Sequence, residues 1–584
     1  MSAKDLSIAI VGAGGDGVVS LGDMLAQAAA GEGLHVIKTE AYGPQIRGGE
    51  SSCTVRISAT PITAQGDFVD VLVVFSWPDF ARFKSEIIVG PDAVIFCDDK
   101  DAESGIALQS GQREIRVPLA QLAKTSAGTP AAKNIIALGI LAEAFGLPKD
   151  PIRKAIEKKF GKKKKEVLES NLRAWDAGRT LGSSLGDFSA KGLQYVPSEP
   201  KLLMSGNEAT ALGALHAGCR FFAGYPITPS SEILHFLGEW LPGAGGGILQ
   251  TEDELAAIGA VVGASFAGVK AMTATSGPGL SLMSEMLGLA SIAEIPAVVV
   301  NVQRGGPSTG IPTKSEQSDL WHAVYSGHGD MPRVVLACSD VEDSFHTTVD
   351  AFNIAEEFQI PVIVLSDQLI GQRRETLSID ALTHPVIDRQ KPSSEELEEY
   401  RRYRETDSGV SPMSVPGSFE GIYQTNGLEH DEHGRPSAMY LMHERMNAKR
   451  HRKLWAIREK YNFVRRYGPE KAELGIVCWG SSKGPVKEAV LRANARGDRV
   501  AAFVPQVLFP FPKRELEEFV KSVDTVLVLE LSYAAQFYKY LKTFVELPEE
   551  TTHVYKRSGG KPLTVAEVDE QIRIILDIFA EVIA

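Results

Sequence analysis

The residues of this chain that could do chemistry are an acidic run, a lone arginine and turns built from glycine, proline and small hydroxyl residues. Thr251-Glu-Asp-Glu254 leads into small apolar residues that continue to Gly268. Acids at a helix start complement the helix dipole, which accounts for part of the trio. A carboxylate in such a place can also do acid-base work, with Glu254 and Glu252 both open candidates. Upstream, Gly224-Tyr-Pro-Ile-Thr-Pro-Ser-Ser-Glu232 stands where a strand gives way to a helix. Its prolines fix the backbone, while Thr228, Ser230 and Ser231 bring hydroxyls to a helix N-terminus, an arrangement that suits a cap or a small anion equally. Thr275-Ser-Gly-Pro-Gly279 is a turn whose glycines let backbone approach a ligand. Arg304 follows an apolar strand and precedes Gly-Gly-Pro-Ser-Thr-Gly-Ile-Pro-Thr313. Its guanidinium offers a carboxylate two parallel donors, with a surface salt bridge as the plain alternative.

A second constellation lies near the start, where Gly12, Gly14 and Gly17 form GxGxxG between an expected strand, 6–11, and an expected helix, 18–30. Glu40 follows the next strand, 35–39. A dinucleotide rests its diphosphate and ribose on such an arrangement, so a nicotinamide-linked dehydrogenase is a rival reading. Tight strand-to-helix turns use the same glycines for packing. Gly15-Asp16-Gly17 also imitates the opening of a thiamine diphosphate and magnesium motif. That motif needs an asparagine a short way downstream, and the first asparagine of the chain is Asn134.

The elements that must position these residues divide the chain into α/β units. With 584 residues, 44% of them hydrophobic and 23% charged, the chain exceeds a single core. One unit covers 1–185 and is followed by a linker, 186–200, with glycine, serine and proline. A second, 201–384, has expected strands at 219–223, 271–275, 297–302, 334–337 and 361–365. Residues 385–466, rich in charge, glycine, serine and proline, form an excursion with a helix at 442–461. A third unit, 467–584, has expected strands at 474–479, 500–504 and 525–529. Alternation of short Val- and Ile-rich strands with Ala- and Leu-rich helices makes the fold class α/β, with three doubly wound domains.

Other features exclude functions. No apolar run approaches the roughly 20 residues of a membrane span, and the first residues lead straight into a strand without a basic, then apolar, leader, so a cytoplasmic location and no membrane partner are expected. The five cysteines have no CxxC spacing, which argues for buried thiols and against a local zinc or iron-sulfur site. A formal charge of -13 argues against nucleic-acid binding. His430-Asp-Glu-His433 reads as a solvated loop rather than a metal site, so no metal is expected on this chain. Lys162 to Lys165 read as an exposed helix face, or as a docking patch for an acidic partner.

In this order, GYPITPSSE, EDELAAIGA, TATSGPG, QRGGPSTGIPTKSEQSDL and Asn426-Gly-Leu-Glu-His-Asp-Glu-His-Gly434 closely resemble the alpha subunit of 2-oxoacid:ferredoxin oxidoreductases. Gly12-Ala-Gly-Gly-Asp-Gly17 and Tyr42-Gly-Pro-Gln-Ile-Arg-Gly-Gly-Glu50 look like the gamma subunit fused ahead of it, with Asp16 where the family's loop often has glutamine. The resemblance implies a gamma-type domain, a thiamine diphosphate pyrimidine-binding domain and a transketolase C-terminal-like domain. It implies that Glu254 touches the aminopyrimidine ring, whose nitrogen then takes the thiazolium proton, and that Pro226, Ile227, Ser276 and Gly277 also meet the cofactor. Thr228 and Arg304 would hold the 2-oxoacid carboxylate, with Tyr225 and Thr313 nearby. Gly14, Gly15, Gly17 and Arg47 would face coenzyme A. Magnesium, the cofactor diphosphate and the iron-sulfur cluster fall to a beta subunit, in an assembly of two copies of each chain, with ferredoxin as acceptor. The expected substrate is 2-oxoglutarate, with pyruvate or branched-chain 2-oxoacids next. A nicotinamide-dependent dehydrogenase and a non-catalytic adaptor are the competing functions.

Overall fold

The computed structural model describes residues 5–43, 49–101, 104–186, 188 and 191–583. They gather into two compact units. One comprises Met1–Met204, Gln372–Ala381 and Thr564–Ala566, and the other comprises Ser205–Gly371, Leu382–Leu563 and Glu567–Ala584.

In the first unit, Ile8, Ala9, Ile10 and Val11 are fully buried, so the strand Asp5–Ala13 lies in the middle of an eight-stranded sheet. It pairs in parallel with Val69–Val74 on one side and antiparallel with Glu50–Ser58 on the other. His35–Tyr42 pairs with the far edge of Glu50–Ser58, also antiparallel. The sheet is therefore mixed, and this decides against the dinucleotide reading. The strand after the glycine turn would have to lie directly beside the first strand, but another strand separates them, which puts Glu40 about 10 Å away across the sheet. Glu40 is also engaged by Lys38 and Tyr42.

Helices Lys133–Ala144 and Lys165–Ser184 of this unit cross closely, because Gly139 and Gly178 have no side chain to hold the backbones apart. Lys162 to Lys165 are exposed as expected, but they do not form a helix face. They make the turn between helices Lys149–Phe160 and Lys165–Ser184, and only Lys165 is helical, because Gly161 closes the preceding helix.

The second unit contains two sheets. The seven-stranded one runs Val507–Phe509, Val334–Ala337, Pro361–Asp367, Ala297–Gln303, Ala271–Thr275, Phe221–Gly224, Gly247–Gln250, and only its first strand is antiparallel to its neighbour. The five-stranded one runs Val464–Tyr467, Val500–Pro505, Ala472–Val477, Val523–Glu530, Thr552–Lys556, again with only the first strand antiparallel. Val507–Phe509 departs from the expected separation of the two regions, since it leaves the neighbourhood of the second sheet to complete the edge of the first.

Within the second unit, the segment 385–466 is fastened by charge to the turn after the helix Gly277–Ile292. From the helix Tyr440–Lys460, Lys449 and Lys453 both reach Glu294, at 2.7 and 2.6 Å. Arg402 donates to the Glu294 carbonyl at 2.6 Å, and all four side chains are buried. The loop with His430 is the solvated loop expected only in part, since His433 is exposed and Asp431 and Glu432 are half-buried but His430 is withdrawn from solvent. His430 is buried against the Tyr403 ring with 4.1 Å between ring centres, Asp431 accepts from the backbone of His433 and Arg435, and Glu432 pairs with Arg401. The imidazole is also held by the Leu428 carbonyl, 3.0 Å from Nδ1. The five cysteines are buried and unpaired. Among the described residues no helix is long and apolar enough to cross a membrane.

Candidate functional site

Four neighbouring strands of the seven-stranded sheet, Ala297–Gln303, Ala271–Thr275, Phe221–Gly224 and Gly247–Gln250, deliver the candidate residues from their carboxyl ends. Ligands of open parallel sheets bind in this position, because loops and helix N-termini converge there. Arg304 leaves the first strand, Ser276 and Gly277 the second, Tyr225 to Thr228 the third and Glu254 the fourth.

The acidic trio divides by role. Glu252 is exposed; Asp253 caps the helix Glu254–Phe266 by accepting from the Ala256 N–H at 2.8 Å; Glu254 is 5% exposed. One Glu254 oxygen accepts from Thr275 Oγ1 at 3.3 Å. Gly279, in the first turn of the helix Gly277–Ile292, passes so close that a Cβ there would collide with both Thr275 Oγ1 and Glu254 Oε1. That explains the glycine and leaves the carboxylate pinned against a helix start.

Arg304 is 7% exposed, and its Nη1 donates to the Thr228 carbonyl oxygen at 2.5 Å. Tyr225, Pro226 and Thr228 are themselves exposed, and Ile227 half-buried, so the hydroxyl of Thr228 remains available. The turn is fixed from behind, where Asn207 donates to the Pro229 carbonyl at 2.8 Å and Ser230 donates to that of Ile227 at 3.0 Å. Burial pulls the Arg304 guanidinium below its ordinary value, against the opposing fields of Asp319 and Glu254. Thr313 is exposed on the loop that follows, which closes on itself through Gly305 N–H to Lys314 and Ile311 N–H to Gly305. The structure thus joins Arg304 with the Thr228 turn and Glu254 with the Thr275 turn, while Tyr225 and Thr313 stand at the exposed margin.

Sequence reasoning missed Asp319. It receives Asn301 Nδ2 at 2.9 Å, its N–H donates to Gln303 at 3.1 Å, and a Cβ on Gly277 would press against it. Burial raises its pKa, opposed by the Asn301 bond. Asp319 immediately precedes the helix Leu320–Tyr325 and so looks in sequence like an ordinary cap. Gln317 and Gln536 were also missed. Gln317 donates to the Trp479 carbonyl and accepts from Leu531 N–H, and Gln536 donates to the Ser318 carbonyl, which stitches this loop to 531–536. A cleft of about 480 Å³ lies between them, with Gly277, Arg304, Asp319, His322 and Tyr533 in its wall.

Three buried atoms at the strand ends have no hydrogen-bond partner, namely Ser276 Oγ, Asn301 Oδ1 and Arg304 Nε. Buried polar groups are normally satisfied, so a donor and acceptors here fit a polar ligand. The helix Glu254–Phe266 buries Ala257, Ile258, Val261, Val262 and Ser265 on one face, while the face carrying Ala256 and Gly263 is exposed.

In the first unit, Gly15 and Gly17 adopt φ of 103° and 78°. The Gly14 N–H donates to Gly49 at 2.8 Å and Asp16 N–H to Ala13 at 3.0 Å, so part of the expected phosphate cradle is spent within the loop. Asp16 turns back to accept from Ala13 N–H and pairs with Lys133 at 2.8 Å. Asn134, the residue that came too late for a magnesium motif, instead donates to the Gly17 carbonyl. Arg47 lies outside the described residues.

Residues 212–449 match the family described as pyruvate flavodoxin/ferredoxin oxidoreductase, thiamine diphosphate-binding; residues 7–181 match pyruvate ferredoxin/flavodoxin oxidoreductase, and 472–568 match pyruvate:ferredoxin oxidoreductase core domain II. The alpha subunit of 2-oxoacid:ferredoxin oxidoreductase 1 of Aeropyrum pernix is 32% identical over 97% of each chain. The 2-oxoglutarate synthase subunit KorA of Methanothermobacter marburgensis is 41% identical over 58% of this chain and 89% of its own. Among solved structures, a 2-oxoglutarate:ferredoxin oxidoreductase from Magnetococcus marinus, with 2-oxoglutarate, coenzyme A and succinyl-CoA bound, has a TM-score of 0.93 and 38% identity over 98% of this chain and 100% of that one.

Proposed function

Because the chain belongs to the 2-oxoacid:ferredoxin oxidoreductases, joining gamma- and alpha-type regions in one polypeptide, we propose that it converts 2-oxoglutarate and coenzyme A to succinyl-CoA and CO2, reversibly, with ferredoxin reduced. The observation that carries this reading is that a buried Arg304, whose Nε lacks a partner, and a buried Glu254 are delivered from the same carboxyl edge of one sheet, with two strands between theirs. The choice of 2-oxoglutarate is supported by the substrates named for the Magnetococcus enzyme and the KorA relatives.

Bound thiamine diphosphate would supply the nucleophilic carbon and the electron sink. Glu254 would hold a proton at the aminopyrimidine, Ser276 Oγ and the Gly277 backbone would face the same ring, and Pro226 and Ile227 would wall it. Arg304, through Nε and its remaining N–H groups, would fix the substrate's 1-carboxylate, with the Thr228 hydroxyl as second donor and Tyr225 and Thr313 at the rim. Holding the carboxylate in place lowers the barrier by orientation rather than by added acid chemistry. Gly14, Gly15, Gly17 and Arg47 would approach coenzyme A, with Gly15 and Gly17 the better placed, since the Gly14 N–H is already engaged. A partner beta subunit would bring magnesium, the diphosphate grip and the iron-sulfur cluster, in an assembly of two copies of each. The exposed small-residue face around Ala256 and Gly263 supports such a partner. The proposed division of labour is a gamma-type domain over 1–185, a linker over 186–200, a pyrimidine-binding domain over 201–384, an excursion over 385–466 and a transketolase C-terminal-like domain over 467–584.

The test is reconstitution with the beta subunit and assay with 2-oxoglutarate, pyruvate and branched-chain 2-oxoacids. The reading expects acceptor reduction that requires both coenzyme A and a 2-oxoacid, with 2-oxoglutarate giving the highest kcat/KM. Preference for pyruvate would overturn the substrate; reduction without any 2-oxoacid would overturn the chemistry.

A further inference from the structure

In a chain with a formal charge of -13, the turn joining helices Lys149–Phe160 and Lys165–Ser184 has the opposite sign. Arg153, Lys154, Lys158, Lys159, Lys162, Lys163, Lys164 and Lys165 stand there with only Glu157 interleaved, which Arg153 takes at 3.3 Å; Glu166 and Glu169 follow on the second helix, whose Asp176 lies 4.0 Å from Arg153. All seven lysines are exposed. Lys165 reaches Glu169 only at 3.7 Å, and Lys163 lies over the Phe160 ring. Among the described residues, Lys154, Lys158, Lys159, Lys162 and Lys164 have no ion pair.

Helix stability does not explain the cluster. Cations near a helix C-terminus are favourable within its last turn, which covers Lys158 and Lys159 and leaves Lys162, Lys163 and Lys164 unaccounted for. Solubility does not explain it either, because an acidic protein gains nothing from crowding its positive charge at one point, where like charges repel. Crowding does create a local field. An acidic macromolecule is repelled by most of this surface and attracted here, so the turn determines where it is first captured.

We propose that this lysine turn is a capture surface for an electron carrier with an acidic face, the ferredoxin of the proposed reaction. The inference rests on that reaction. It concerns encounter rather than electron transfer itself, so it bears on kcat/KM for the carrier and not on kcat.

The experiment compares K162E/K163E/K164E, and K162Q/K163Q/K164Q as a milder variant, with the parent in the complete complex with its beta subunit. Reduction of a purified acidic bacterial ferredoxin is measured at about 0.01 M and about 0.15 M ionic strength, where the screening length falls from about 30 Å to about 8 Å. The charge-reversed variant is expected to lose about ten-fold in kcat/KM for ferredoxin at the lower ionic strength, the glutamine variant less, with the gap narrowing at the higher. Turnover at saturating viologen reports the underlying chemistry and is expected to match the parent. Absence of viologen turnover in the parent would sink the proposed function instead. Unchanged ferredoxin kinetics in both variants would overturn the capture surface. So would a loss that is the same at both ionic strengths, a loss shared by viologen turnover, or binding of RNA by the parent alone with ferredoxin kinetics unaltered.

Discussion

Arg304 gives its Nη1 to the carbonyl oxygen of Thr228, 2.5 Å away, and keeps Nε buried without a partner. The bond aims the guanidinium without using the Thr228 hydroxyl, so the two groups can be tested separately. R304K keeps the charge but loses the planar fork, and is expected to lower kcat/KM for the 2-oxoacid by about 100-fold, a few kcal/mol in charge-assisted hydrogen bonds. T228A keeps the carbonyl and is expected to cost about ten-fold, one ordinary hydrogen bond. Unchanged kinetics in T228A would mean that Thr228 acts through its backbone carbonyl alone.

The acidic trio makes a three-way prediction. E254Q is expected to lower kcat by about 100-fold or more, in the range of a lost proton-handling group, with the thermal midpoint close to parent. D253A is expected to cost about 1 kcal/mol of stability by removing the cap, with kcat largely retained in the folded enzyme. E252Q is expected to change neither, since the side chain is exposed. Thermal melts beside viologen assays separate the three.

Gly279 leaves no room for a methyl group between Thr275 and Glu254. G279A is expected to cost about 1–3 kcal/mol, the usual penalty for overpacking, and to lower kcat because the carboxylate must move. Normal kcat with normal stability would show that Glu254 relaxes without consequence.

Three buried cations surround Glu294. Burial would raise its pKa, but the fields of Lys449, Lys453 and Arg402 prevail and hold the carboxyl far below its ordinary value. E294Q is expected to destabilise the chain by about 3–5 kcal/mol, because it strands buried positive charge.

The surplus cation shows in Lys453, which burial pulls down to about 7 despite Glu294. Between that value and the ordinary lysine range the unfolded chain binds a proton that the folded chain does not, so this residue's contribution to stability rises with pH across that window. Its slope approaches about 1.4 kcal/mol per pH unit. K453M is expected to flatten the dependence of unfolding free energy on pH above 7, read from denaturant titrations at several pH values. An unchanged slope would place the proton elsewhere.

The parallel strands were legible because burial on both faces makes them continuous apolar runs, and Ala271–Thr275 and Val334–Ala337 fall where the pattern puts them. Arg304 was legible because it follows such a strand, whereas Glu254 was legible from the acidic run Thr251-Glu-Asp-Glu254 and the family resemblance, the strand before it not having been anticipated. The neighbour of the first strand was not legible, because Glu50–Ser58 and His35–Tyr42 look alike in pattern and only pairing tells which lies between. Asp319 was hidden for a similar reason, its burial depending on Asn301 and Gly277, which are distant in sequence. Gly247–Gln250 and Arg374–Leu377 are as long as Val334–Ala337 but are not buried on both faces, so they show no continuous apolar run, and Val507–Phe509 has only three residues.

Val507–Phe509 also limits how the polypeptide can be cut. A fragment stopped at residue 466 would keep the pyrimidine-type sheet but bare the flank of Val334–Ala337, a row of unmatched amides on an apolar strand. Such a flank recruits whatever strand it meets. The late stretch of the chain therefore protects the earlier sheet from self-association, and the two cannot be exchanged between relatives as independent cassettes.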